Sequence, residues 1–224
     1  MANMFSMSRN KIVYSALTLA VAFNSAMAFA AEGERTVTLQ EDIAQAELLR
    51  LEIPAGDVEI IGTAGTGLTA VVTVVCQKEN QENCYKLIKE LGWSKKTGTV
   101  TELSLSPAGI TRYDHITLKV KIGVPKDKKL DVNLSAGELR ISDTSACLTA
   151  EVNAGELNIR LKENQFASAE LSAKVGDAHV ISPTGEKIEG DRSLLVGANA
   201  SWKGTGSCQT KASVLAGEVQ LRLN

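Results

Sequence analysis

Aromatic side chains are scarce in this chain, at 4% of 224 residues with 2 Trp, 3 Tyr and 4 Phe. Sites that grip sugars or single-stranded nucleic acid by stacking therefore have few rings to draw on. Histidine is scarcer still, with 2 residues, His115 and His179. Catalysis needs a nucleophile, a base and a charge stabiliser that converge, and no serine, cysteine or lysine motif of catalytic spacing accompanies either histidine. His115 follows Asp114 at a strand start, and His179 falls between Ala178 and Val180 at an outward position. Both read as surface histidines. The expectation is no catalytic residues, no cofactor and no metal ligands.

A positive excess is missing as well. The formal charge is −2, which argues against nucleic acid as a partner. Long apolar runs are confined to the start, where Met1 to Ala30 carries Arg9 and Lys11, an apolar stretch from Ile12 through Phe23, and small residues at Ala28 and Ala30. That is the pattern of a secretory signal peptide, and no other stretch approaches the roughly 20 apolar residues of a membrane span. Cleavage after Ala30 removes two positive charges and no acid, moving the formal charge from −2 to −4. No cysteine near that point offers a lipid attachment site, and the polar C-terminus offers no anchoring tail. The remainder, residues 31–224, is long enough for one sizeable core.

What the chain does have is a recurring corner. Ser135-Ala136-Gly137-Glu138-Leu139-Arg140-Ile141 returns as Asn153-Ala154-Gly155-Glu156-Leu157-Asn158-Ile159, as Lys174-Val175-Gly176-Asp177-Ala178-His179-Val180 and as Leu215-Ala216-Gly217-Glu218-Val219-Gln220-Leu221, with a degenerate copy around Gly197. The intervals between successive glycines are 18, 21, 21 and 20 residues, a period typical of stacked units. Positions one and three before the glycine, and two and four after it, are apolar or small in nearly every copy. Period two on both sides means strand, sharp turn, strand, with one face buried. Glycine suits the corner because it reaches positive φ without a Cβ clash, and the acid after it sits in water. Leu51-Glu52-Ile53-Pro54-Ala55-Gly56-Asp57-Val58-Glu59-Ile60 matches the same pattern, so Gly56 reads as an outlying copy ahead of an insertion.

Two architectures satisfy this pattern, a β-solenoid in which each unit is a coil and an antiparallel meander or sandwich in which each Gly-acid pair is a hairpin turn. The Ala-Gly-acid-apolar-x-apolar repeats, preceded by Ile116-Thr117-Leu118-Lys119-Val120-Lys121-Ile122-Gly123-Val124-Pro125, resemble the bacterial adhesin family of the DUF4097 type. The resemblance runs from about Thr38 to the end. It implies a mainly β, β-solenoid-like fold and supplies no catalytic residues.

The four cysteines, Cys76, Cys84, Cys147 and Cys208, lack zinc-site spacing and fit an oxidising compartment. Cys84, Leu87, Ile88 and Leu91 fall at i, i+3, i+4 and i+7, which predicts one amphipathic helix at about 80–91. Its stripe aims Cys84 at the strand that Cys76 ends, so a Cys76–Cys84 bridge is expected. Cys147 and Cys208 occupy similar coil positions, but three solenoid steps of about 4.8 Å set them roughly 14 Å apart, whereas a disulfide needs Cα atoms within about 7 Å. Their pairing stays open between an irregular stack, a meander and free thiols.

Gly62-Thr63-Ala64-Gly65-Thr66-Gly67 has no helix after it and reads as a plain turn rather than a phosphate loop. Strands are expected at 68–76, 99–106 and 115–124, and Lys126, Lys128 and Lys129 read as solvated turn residues. Around Gly197 the inward positions hold Asn199 and Ser201, and a bulge that turns Ala198, Ala200 and Trp202 inward resolves the conflict. The last strand, Val219 to Leu223, reads as an edge that could take a partner strand, or that Arg222 could protect. The domain reading is a signal peptide at 1–30, an N-terminal β part at 31–129 and a glycine-centred repeat region at 130–224, together one continuous domain. The functional expectation is an exported, non-enzymatic, adhesin-like interaction module, periplasmic or at the cell surface, with an envelope or extracellular partner. The alternatives are an assembly-forming envelope protein, or an envelope-polymer hydrolase resting on Asp114 with His115.

Overall fold

The computed structural model describes residues 34–76, 81–106, 116–145, 147–193 and 196–224. Residues 1–30, read above as a signal peptide, lie outside the described residues, as do Asp114, His115 and the side chain of Leu87. The strands are β1 (Glu34–Asp42), β2 (Leu48–Ile53), β3 (Gly56–Thr63), β4 (Gly67–Cys76), β5 (Gly92–Lys96), β6 (Val100–Ser106) and β7 (Ile116–Pro125). They continue as β8 (Lys129–Ser142), β9 (Leu148–Leu161), β10 (Phe166–Ile181), β11 (Lys187–Glu189), β12 (Asp191–Ser193), β13 (Gly197–Lys203) and β14 (Cys208–Leu223). One helix, α1 (Gln81–Glu90), joins β4 to β5.

The long strands β8, β9, β10 and β14 each bend at a glycine, so each contributes to two walls. Before the corner, β2 pairs in parallel with the first half of β8, which continues through β9 and β14 to β10. After it, β3 pairs with the second half of β8 and the same series follows. The result is a flattened, two-walled β-solenoid with parallel coils in register, not a meander. Its core lies between the walls: Leu134, Leu139 and Ile141 of β8, Val152, Leu157 and Ile159 of β9, and Val214, Val219 and Leu221 of β14 are all buried. Each such aliphatic side chain contributes about 1.5 to 3 kcal/mol by leaving water.

The corner glycines stack as Gly56, Gly137, Gly155, Gly217, Gly176. All five have positive φ, from 126° to 140°, and the backbones pass so closely that a Cβ on Gly155 would meet the carbonyl oxygen of Gly137 at 1.8 Å. Positive φ also breaks the strict alternation. The residue just before the corner, expected inward, is exposed at Ala136, Ala154, Val175 and Ala216, because two successive side chains point outward on a convex edge.

Chain order and stack order differ. β14 inserts between β9 and β10, so the C-terminal strand is interior to the sheet and not an edge: both its backbone sides are already hydrogen-bonded. Gly197 is not a corner. β13 runs antiparallel to β10, with Gly197 set against the carbonyls of Ala173 and Lys174. Reversed direction, and not a bulge, places Ala198, Ala200 and Trp202 on the core side, where Ala198 is buried and the other two pack partly against the core. Trp202 Nε1 donates to Glu163 Oε1 at 2.9 Å.

The ends of the solenoid are closed differently. At one end, β7, β4 and β1 extend one wall from β3, while β6 and β5 extend the other from β2. α1 passes from one wall to the other, held by the Cys76–Cys84 disulfide and by Arg35 of β1, which donates to the carbonyls of Ile88 and Lys89 at the helix C-terminus, where cations are favoured. At the other end the antiparallel strands β11, β12 and β13 form the cap. Lys128 is not the solvated turn residue expected. It is buried, with Nζ donating to the Ala44 carbonyl at 3.0 Å.

Candidate functional site: the charged outer face after the corners

Parallel, in-register coils convert sequence position into straight rows, because equivalent residues on neighbouring strands lie about 4.8 Å apart. On the outer face after the corners, the first row is Asp57, Glu138, Glu156, Glu218 and Asp177. The next outward row is Glu59, Arg140, Asn158, Gln220 and His179, and the one beyond it is Ile61, Ser142, Arg160, Arg222 and Ile181. Acids therefore line the side near the corner, amides the middle, and two arginines the far side.

Most of the acids are answered by a neighbour. Arg140 pairs with Glu138 at 2.6 Å and also with Asp57, and its pKa is raised, first by the hydrogen bond to Glu138. Asn158 Nδ2 donates to Glu138 at 3.4 Å. Arg192 of β12 pairs with Asp177 at 2.6 Å. Lys187 and Glu189 of β11 pair at 2.9 Å, and the Lys187 ammonium, chiefly by its hydrogen bond, holds the Glu189 carboxyl below the usual range.

His179 is not the surface histidine expected. It is 2% exposed, because β11 lies alongside it on one side, with Glu189 opposite, and Gln220 lies on the other. His179 Nε2 is 2.9 Å from Gln220 Oε1. Its Nδ1 lies 3.3 Å from Glu218 Oε1 but without hydrogen-bond alignment. Among the described residues no cluster of three His, Cys, Asp or Glu side chains could hold a metal ion.

Arg160 and Arg222 stand opposite each other on β9 and β14. Both are exposed, and among the described residues neither has a partner. Like charges directly opposite are unfavourable, so this pair stands out on a face whose other charges are largely matched. The two arginines, with Glu59, Arg140, Ser142, Asn158 and Gln220, line an open depression of about 210 Å³. A second depression of about 500 Å³ opens at the capped end, between Leu171, Val180, Ile188 and Ala200. Along the convex corner edge Val175, Val196 and Leu215 are 54%, 55% and 49% exposed.

Of the cysteines, Cys147 and Cys208 are bonded, with Cα atoms 4.7 Å apart. The three-step separation reckoned along the sequence is a single step in space, since β14 is the immediate neighbour of β9. The Arg160–Arg222 pairing escaped the sequence reading for the same reason. Its signal was present in the matching Asn158-x-Arg160 and Gln220-x-Arg222 positions, five residues past a corner being the common coordinate.

These features define a two-walled β-solenoid with glycine corners, one end closed by a disulfide-tethered helix and the other by antiparallel strands. The chain belongs to the Toastrack DUF4097 family, whose model matches residues 32–221. Among solved structures, a candidate cell adhesion protein from Clostridium sporogenes is similar with a TM-score of 0.51 at 13% identity, over 85% of this chain and 100% of that one. A candidate lipid binding protein from Parabacteroides distasonis has a TM-score of 0.32 at 15% identity, over 56% of this chain and 49% of that one. A candidate adhesin from Parabacteroides merdae has a TM-score of 0.27 at 13% identity, over 84% and 81%. No protein of curated function matches the chain. Among the described residues no helix is long and apolar enough to cross a membrane.

Proposed function

We propose that the protein is an exported, adhesin-like interaction module of the bacterial envelope, and that the outer face after the corners is its contact surface. The observation that carries this reading is a set of three in-register rows over five strands, an acid row throughout, followed on β9 and β14 by amides and then arginines beside an open depression. Such a face suits recognition of an extended surface, where a rigid scaffold holds many polar groups at fixed spacing. The adhesin-like family and the adhesion label of the Clostridium sporogenes structure favour the same reading. Two disulfides and the signal-peptide pattern of residues 1–30 support export, to the periplasm or cell surface.

The test has two parts. Expression of the full chain in a bacterial host, fractionation and N-terminal sequencing should recover protein from outside the cytoplasm, starting at Ala31. The purified protein should then bind isolated envelope material saturably. Cytoplasmic protein with an intact N-terminus removes the export claim, and unsaturable or absent binding removes the module.

A further inference from the structure

Arg160 and Arg222 stand opposite each other on neighbouring strands of this face, and neither has an ion-pair partner among the described residues. Arg140, next to them, is already engaged by Asp57 and Glu138. Glu59, the one acid lining the depression, is held by Lys121 at 3.5 Å. Of the charged side chains lining the depression, Arg160 and Arg222, on the neighbouring strands β9 and β14, have no ion-pair partner among the described residues. A pair of planar, fork-shaped donors at one strand spacing matches the geometry of an oxyanion.

The amides beside them extend the match. Asn158 uses its Nδ2 toward Glu138, which leaves its Oδ1 to accept, and Gln220 uses its Oε1 toward His179, which leaves its amide nitrogen to donate. A donor and an acceptor one row from an oxyanion site, about 6.6 Å along the strand, offer partners for hydroxyl groups of the molecule that carries the acid group. The depression, about 210 Å³, is smaller than the roughly 300 to 1,000 Å³ of pockets that enclose a ligand. It has room for one ring of a longer chain whose remainder lies in solvent.

We propose that Arg160 and Arg222, with Asn158 and Gln220, bind one ring of an acidic saccharide, with the arginines on its carboxylate or sulfate and the amides on its hydroxyls. The surroundings decide against an anionic membrane. Lipid recognition of that kind takes clusters of about 4 to 8 basic residues, whereas this site has two and lies two rows from Glu156 and Glu218, which repel a continuous negative surface. A saccharide with spaced acid groups sets one of them on the arginines and keeps the others away from the acid row. The proposal rests on the reading of this face as the contact surface and names its ligand class.

The experiment is a calorimetric titration of the purified protein with a galacturonate oligosaccharide, a sulfated oligosaccharide, a neutral oligosaccharide of equal length, inorganic sulfate and phosphatidylglycerol vesicles. Saturable binding of one or both acidic oligosaccharides is expected, weakening as salt rises, and whichever binds more tightly identifies the acid group. Arg160→Ala and Arg222→Ala should each lower that affinity about tenfold or more. Asn158→Ala should lower it for the saccharide and not for sulfate, and Arg50→Ala on the opposite wall should leave it unchanged. Circular dichroism of each variant verifies folding. The proposal is overturned if no acidic oligosaccharide binds, if the neutral oligosaccharide or bare sulfate binds as tightly, if the vesicles bind in preference, or if the arginine variants bind normally. Envelope binding without saccharide binding overturns this site and spares the module. Saccharide binding without envelope binding does the reverse.

Discussion

Cys147 and Cys208 are 61 positions apart and yet covalently joined, because the strand that begins at Cys208 lies against the one that begins at Leu148. This bond joins the two strands just ahead of their first ladder pair, Leu148 and Thr210. Closing a loop of that length removes about 4 kcal/mol of chain entropy from the unfolded state in the entropic model, against about 2 to 3 kcal/mol for the short Cys76–Cys84 loop. Replacing Cys147 and Cys208 together by alanine should therefore lower stability more than replacing Cys76 and Cys84. Denaturant midpoints of the two double variants test the order.

Gly155 sits between two other corner glycines, and a Cβ there would overlap the Gly137 carbonyl while φ stays at 133°. Gly155→Val should cost more than about 4 kcal/mol, in the range reserved for overpacking and backbone strain together. Glu156→Gln, one residue on and exposed, should cost less than about 0.5 kcal/mol. Thermal unfolding of the two variants gives the comparison, and equal losses would contradict the stacked corner.

The Trp202 indole donates to Glu163, and this bond ties β13 to the turn before β10. Trp202→Phe retains much of the packing and removes the donor, so a loss of about 1 kcal/mol is expected. The Trp202 emission should also shift when Glu163 is changed to Ala, which a Trp93→Phe background isolates.

Glu102 has its pKa lowered, first by the hydrogen bond from Lys96 and secondarily by Arg50. A carboxylate with a lowered folded-state value stabilises the fold above its unfolded value, about 4.3, and the contribution fades as pH falls through the folded value. The stability difference between the wild type and Glu102→Gln should thus be present at neutral pH, small because the pair is exposed, and vanish in acid. Urea titrations at several pH values between about 2 and 7 measure it.

The strand, corner and strand of each unit were legible in the sequence, while the choice of coil over hairpin came from the family resemblance. Leu134, Leu139, Val152, Leu157, Val214 and Val219 announced their burial by period two around each glycine, and α1 announced itself by its apolar spacing. The order of the coils was not legible. The corners at Gly155, Gly176 and Gly217 are alike, so pattern alone gives Gly155 no preference between Gly176 and Gly217 as neighbour. The choice lies in the antiparallel excursion of β11, β12 and β13, which carries the chain back to an internal position. Burial of His179 was hidden for a related reason. Its own strand places it outward, and a segment 10 residues further on, Glu189, is what lies beside it.

The placement of β14 sets a timetable for folding. Until Cys208 to Leu223 has been synthesised, β9 and β10 lack the partner that each hydrogen-bonds in the finished molecule, and a ribosome-bound or truncated product has a gap where the sheet should be continuous. The first half can zip up as it emerges, while the second half must wait for its keystone.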